Sequence, residues 1–309
     1  MPRQPALPSP YASLVAGTPV RRDEVVLHGV PTQLWVYGPD DAPRVVFLHG
    51  YRGDHHGLEP IVAHLSGLQV VVPDLPGFGA SPCLPEGAHD VAGYAAWARA
   101  LLAAVAPDGD AVLAGHSFGS IVAAATLAAP TAPPVRALVL VNPIATSALA
   151  GRRRIATRGT VLLHHLAGRL PERAGSWMLR HPVLTRVASI LMATTPDSSL
   201  RRWIHEEHDR YFSGFADRDA LLEAFDASMS GDVASAAPHV AVPTLLVAGD
   251  RDDLAPPEGQ QALLGLFPDA RLVMLPGVGH LTHYETPDQV AREFTRFVEG
   301  LRRVEGLPQ

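Results

Sequence analysis

The residues with the clearest chemical potential are Gly115-His116-Ser117-Phe118-Gly119, set between an apolar run, Ala111-Val112-Leu113-Ala114, and a helical stretch from about Phe118 to Ala129. A serine placed on a sharp strand-to-helix turn takes a strained backbone, so only small neighbours fit two residues to either side. The pattern alone is a weak signal, and a tight turn with an idle serine reads equally well. A serine is a poor nucleophile until a base takes its proton, and the base needs an acid to orient it. Both occur later at strand ends: Asp250, Asp252 and Asp253 follow the apolar run ending at Ala248, and His280 follows the one ending at Leu275. Serine, acid and histidine thus come in the order in which parallel strands would deliver them to one edge of a sheet. An oxyanion needs two aimed N–H donors. Phe118 N–H is one candidate, and Tyr51 N–H, between Gly50 and Gly53 in the loop after Val45–Leu48, is the other.

Other chemistries are excluded or disfavoured. The 25 cationic side chains are all arginine, which removes Schiff-base chemistry and the lysine of a phosphate loop. The single cysteine, Cys83, excludes an intrachain disulfide framework and a cysteine zinc cluster. A net charge of −6 argues against a nucleic-acid partner. His205-Glu206-Glu207-His208 has histidines three apart rather than four, which suits a solvated helix better than zinc. Asp54-His55-His56 reads as a loop ending in an N-capping aspartate, and the Asp250–Asp253 run lacks the spacing of a calcium loop. His283 reads as the start of the final helix. No metal and no cofactor are expected.

The elements that must hold these groups read as an α/β chain. Glu24–His28 and Thr32–Tyr37 suit an antiparallel pair. Val45–Leu48, Val70–Val72, Ala111–Ala114, Ala137–Val141, Val242–Val247 and Arg271–Leu275 are short apolar runs, several alternating with helical segments such as Val91–Val105, capped by Asp90, and Pro287–Leu301. Wholly apolar strands between helices indicate a mostly parallel sheet covered on both faces. The alternation stops after Asn142-Pro143 for about 95 residues, too long for a structureless loop. From Ile144 to Phe212 this insert carries 11 Arg against 5 acidic residues. The expected organisation is an N-terminal arm over 1–20, a core of 21–143 and 238–309, and a helical cap over 144–237. Leu162, Leu163, Trp177, Leu191 and Trp203 are expected to bury against the core, and Phe118, Trp177, Met178 and Trp203 either to shape an acyl pocket or simply to pack. The arm, with five prolines and no long apolar stretch, reads as a loose surface segment, and no run suits a membrane span, so a cytoplasmic location is expected.

Taken together, His49-Gly50-Tyr51, Asp74-Leu75-Pro76-Gly77-Phe78-Gly79-Ala80-Ser81, Gly115–Gly119, Gly249-x-x-Asp252-x-x-x-Pro256 and Gly279-His280 resemble the α/β-hydrolase superfamily, in its order, from residue 24 to 302 outside the cap. The resemblance implies the α/β-hydrolase fold and a triad of Ser117, Asp252 and His280, with Asp250 and Asp253 as alternative acids. It further implies a serine hydrolase acting on a small-molecule ester or thioester. Carbon–carbon bond hydrolases and a menaquinone-pathway lyase look similar and would suit an anionic substrate. A proline iminopeptidase-like activity and a non-catalytic receptor are the remaining readings. Serine at position 117 separates the chain from the haloalkane dehalogenases and soluble epoxide hydrolases, which carry aspartate there.

Overall fold

A computed structural model describes residues 7–85, 88–147 and 154–304 of the chain. Eight strands form one sheet: β1 (Val20–Leu27), β2 (Val30–Tyr37), β3 (Arg44–Leu48), β4 (Gln69–Pro73), β5 (Val112–His116), β6 (Ala137–Val141), β7 (Thr244–Gly249) and β8 (Ala270–Leu275). Their spatial order is β1-β2-β4-β3-β5-β6-β7-β8, with β2 antiparallel to both β1 and β4 and the six strands from β4 to β8 parallel. The opening hairpin is longer than the apolar pattern predicts, because β1 is largely exposed and carries little alternation to read.

Side chains of the central strands alternate between two cores. Val46, Leu48, Leu113, Leu138, Leu140 and Leu246 face one layer with helices Val91–Val105 and Phe118–Ala128. Val45, Phe47, Val112, Val139, Val141 and Val247 face the other, against helix Pro287–Val304. Burial on both faces leaves these strands no polar side, and each fully buried aliphatic contributes about 1.5–3 kcal/mol. Asp90 caps helix Val91–Val105, its carboxylate accepting from Gly93 N–H at 2.8 Å.

Pairing of Leu48 with Gly115, His116 with Val141, Val141 with Val247 and Gly249 with Leu275 brings the carboxyl ends of β3, β5, β6, β7 and β8 to one edge. Between β6 and β7 the described residues form five α-helices: Arg154–Arg169, Glu172–Leu179, Pro182–Met192, Ser198–Tyr211 and Arg218–Ser230. Residues 7–18 are not loose. They include helix Ala12–Gly17, and Tyr11 donates its hydroxyl to Tyr284 O at 2.6 Å while its ring meets Trp203 edge-on. An aromatic anchor, not apolar length, holds this segment, and proline content gives no sign of it. Among the described residues, no helix is long and apolar enough to cross a membrane.

Candidate active site

Ser117 occupies the turn between β5 and helix Phe118–Ala128 with φ 52° and ψ −118°, a strained backbone for a residue with a side chain. The turn closes only because its flanking residues are glycine. A Cβ on Gly115 would stand 2.2 Å from Gly119 O, and one on Gly119 would stand 2.4 Å from Leu48 O. The elbow therefore packs directly against the end of β3.

The Ser117 Oγ lies 2.8 Å from His280 Nε2, and His280 Nδ1 lies 2.7 Å from Asp252 Oδ2. Of the three aspartates left open by the sequence, Asp252 is the buried one, whereas Asp250 is exposed and accepts from Gly277 N–H at 2.6 Å. Asp253 is exposed as well. Burial opposes ionisation of Asp252, but the facing imidazole and its hydrogen bond, the Ala255 N–H and the Asn142 amide outweigh it, so the carboxyl is held below its ordinary value. Asp252 Oδ1 accepts from Leu254 N–H at 2.9 Å and Ala255 N–H at 3.0 Å.

Asn142 is a site residue that the motifs do not reveal. It is fully buried, has φ 46°, and donates from Nδ2 to Asp252 Oδ2 at 3.0 Å and to Gly279 O at 3.2 Å. The Thr282 hydroxyl donates to its Oδ1. Asn142 thus ties the acid to the loop carrying the histidine. The only sequence signal is its place directly after β6, at the edge that the other groups share.

The loop after β3 lies against the elbow: a Cβ on Gly50 would be 3.3 Å from Ser117 Cβ. His49 fixes this loop as a neutral imidazole, donating from Nδ1 to Gly50 O at 2.8 Å and accepting from Leu75 N–H at 2.9 Å; burial pushes its pKa down. Neither Tyr51 N–H nor Phe118 N–H has a protein acceptor among the described residues. Arg52, buried and at φ 60°, donates to Phe212 O and Leu179 O, both at 2.8 Å, and Tyr51 donates its hydroxyl to Leu221 O at 3.3 Å. Phe212 and Leu179 end two of the inserted helices, whose carbonyls carry partial negative charge that suits a guanidinium. Thr194, just past a third inserted helix, accepts from Gly279 N–H at 2.8 Å beside His280. The insert is therefore bonded to loops on both sides of Ser117.

Asp54 caps a short 3₁₀ turn, accepting from His56 N–H at 3.0 Å. With His55 and His56 it brings potential metal-ligand atoms within 4.8 Å of one another. The two rings lie 3.9 Å apart, tilted by 36°, in a column that runs from Trp35 through His55 and His56 to Tyr211. Each Nδ1 already meets a carboxylate, Asp74 or Asp54. The cluster suits a clasp between core and insert better than a metal centre. His205 and His208 are not solvated: both are buried, and their Nδ1 atoms meet Ser189 Oγ at 2.6 and 2.7 Å. Three-residue spacing placed both on one helix face, but that face points inward. His283 is in a separate short helix, Thr282–Glu285, ahead of Pro287–Val304. A cavity of about 250 Å³ between helices Arg154–Arg169 and Arg218–Ser230 is lined by His164, His165, Arg169 and Asp226, and Ser117 is not among its walls.

Residues 45–293 match the family described as alpha/beta hydrolase, and the chain belongs to that family. A pimeloyl-[acyl-carrier protein] methyl ester esterase of Xanthomonas campestris pv. campestris (strain B100) is 29% identical over 260 residues, 84% of this chain and 96% of that one. The polyketide synthase ThaQ of Burkholderia thailandensis is 33% identical over 226 residues, 70% of this chain but only 10% of the synthase. Among solved structures, the enol-lactonase of Burkholderia xenovorans LB400 superposes with a TM-score of 0.72 at 21% identity, covering 90% of this chain and all of the other.

Proposed function

We propose that the protein is a serine hydrolase that cleaves a small-molecule carboxylic ester or thioester through an acyl-enzyme. The observation that carries this reading is the continuous chain from Ser117 Oγ through His280 to the buried Asp252, at 2.8 and 2.7 Å. Because His280 directs Nδ1 at a carboxylate held ionised, its proton sits there and Nε2 is left to accept from the serine. Ser117 Oγ attacks the carbonyl carbon as its proton passes to Nε2. The resulting oxyanion takes hydrogen bonds from Tyr51 and Phe118 N–H, each donor of this kind contributing about 10²–10³ in kcat. Collapse expels the alcohol or thiol, which takes the proton from Nε2. Water then attacks the acyl-enzyme with the same histidine as base, and the acid departs. Asn142 acts as a positioning residue for Asp252.

The esterase relative, 29% identical along nearly its whole length, supports ester hydrolysis over carbon–carbon cleavage. In this reading, residues 144–237 act as a cap on a core of 21–143 and 238–309. Arg52 and Thr194 tie that cap to the catalytic loops. A fluorophosphonate probe should label Ser117, and Ser117→Ala should abolish both labelling and hydrolysis of p-nitrophenyl esters, a loss on the order of 10⁵–10⁶ in kcat. Labelling that persists in a folded Ser117→Ala protein overturns the assignment.

A further inference from the structure

Three of the inserted helices carry large apolar side chains on their outer face. In helix Pro182–Met192, Thr185 and Ser189 are buried, while Val183, Val187, Ile190 and Leu191 are exposed by 49–57%. Their spacing of four, three and one places them in a single stripe along the helix. Leu162, Leu166 and Leu170 repeat the arrangement along and just beyond helix Arg154–Arg169, which turns His164 and Ala167 inward. Helix Glu172–Leu179 buries Gly175 and Leu179 and leaves Trp177 exposed by 67%. Of the 13 large apolar side chains exposed among the described residues, 8 fall between Leu162 and Leu191. Scattered apolar exposure needs no explanation, but ordered stripes on consecutive helices do.

Charge selects the occupant. From residue 151 to 192 the sequence holds eight arginines and one acid, Glu172, although the chain as a whole carries −6. Arg169 and Arg173 are exposed on the same helices as the Leu166 and Trp177 side chains. The same face of a second copy would bring equal positive charge against it and be repelled. Aliphatic stripes, a tryptophan and long arginine stems match the depth profile of a bilayer, with hydrocarbon below and anionic headgroups above. We propose that this face of the insert, built from helices Arg154–Arg169, Glu172–Leu179 and Pro182–Met192, seats on an anionic lipid surface as a peripheral contact. These helices also adjoin the candidate active site: Leu179 O is held by Arg52, and helix Pro182–Met192 runs into Thr194 beside the His280 loop. The inference does not depend on the catalytic reading.

Co-sedimentation with large unilamellar vesicles tests it, using the full chain. Vesicles of phosphatidylcholine with about one-third phosphatidylglycerol should pellet the protein, with weaker binding to phosphatidylcholine alone and at high salt. Ile190→Glu and Trp177→Glu should each weaken binding by about tenfold or more, since each removes a buried apolar contact and adds a repelled charge. Arg169→Glu with Arg173→Glu should remove most of the preference for anionic vesicles. Val26→Glu, an exposed apolar site on β1, should leave binding unchanged. Failure to pellet at low salt overturns the proposal. So does binding that survives Ile190→Glu and Trp177→Glu in proteins with unchanged thermal unfolding, or a concentration-dependent dimer that these variants dissolve.

Discussion

The sheet edge around Ser117 and the outer face of the insert obey opposite rules. At the sheet edge, apolar strands are buried on both faces, and Asp252, although buried, accepts from two backbone amides, an asparagine and a histidine. In the insert, Leu179, Trp203, Ile204, Leu221 and Phe225 are buried, but a second set of apolar side chains, from Leu162 to Leu191, lies outside. The inward surface holds Thr185, Ser189, His205 and His208, with Thr185 Oγ1 and His208 Nε2 lacking hydrogen-bond partners among the described residues. Burial of apolar area accounts for the first arrangement but not for the outer stripes of the second. Stability of the isolated chain thus explains the core, whereas it does not explain the outer stripes of the insert.

The largest expected effect breaks the paired side of this contrast. Asp252→Asn should lower kcat on a p-nitrophenyl ester by about 10⁴, because the amide favours the wrong imidazole tautomer. Asp250→Asn should leave kcat within a few-fold of the parent, since its carboxylate only accepts from Gly277 N–H in an exposed loop. Similar losses from both substitutions would contradict the distinction drawn by burial.

Much of the sheet edge was legible in sequence because its signals are local. Short apolar runs mark the strands, and glycines two residues either side of Ser117 mark the elbow. The acid was ambiguous because Asp250, Asp252 and Asp253 share one loop, and only the path of the chain after β7 decides which points inward. Asn142 was hidden because its partners lie 110 and 137 residues away, brought close by strand order alone. Arg52 was hidden likewise, since it recognises backbone carbonyls, which carry no sequence signature. For the insert, helical periodicity reveals a stripe but not the side it faces. The usual rule put Leu162, Trp177 and Leu191 inside, and they are outside.

Acid should weaken both regions together. Burial pushes His116, beside the candidate site, and His208, in the insert, down to about 3, and His164 down to about 4. Each is held neutral in the folded chain, while the unfolded chain protonates near pH 6.5. Their contribution is therefore complete above about pH 6.5 and falls as the pH drops towards the folded values, by about 1.4 kcal/mol per pH unit for each histidine fully protonated on unfolding. Asp252, with its pKa lowered, loses its share only at lower pH, below about 4. Urea unfolding at pH 7, 6 and 5 measures the slope. A flat profile would mean that these imidazoles bind protons without unfolding, and would remove the packed interior assigned to the insert.

The smallest effect is the most discriminating. Leu246→Ala, in a strand buried on both faces, should cost about 2–5 kcal/mol in urea unfolding, through lost transfer energy and the cavity left behind. Val187→Glu places a charge where a valine is exposed by 49%, so it should change stability by no more than about 0.5 kcal/mol. Normally, replacing one of four aligned aliphatic residues on an amphipathic helix with glutamate removes core packing and is severe. Here the aligned residues point away from the core. A loss of several kcal/mol for Val187→Glu would mean that the stripe is packed against protein in solution, and the contrast between the two regions would collapse. A near-neutral result, alongside a large loss for Leu246→Ala, would locate the value of Val187 outside the stability of the folded chain.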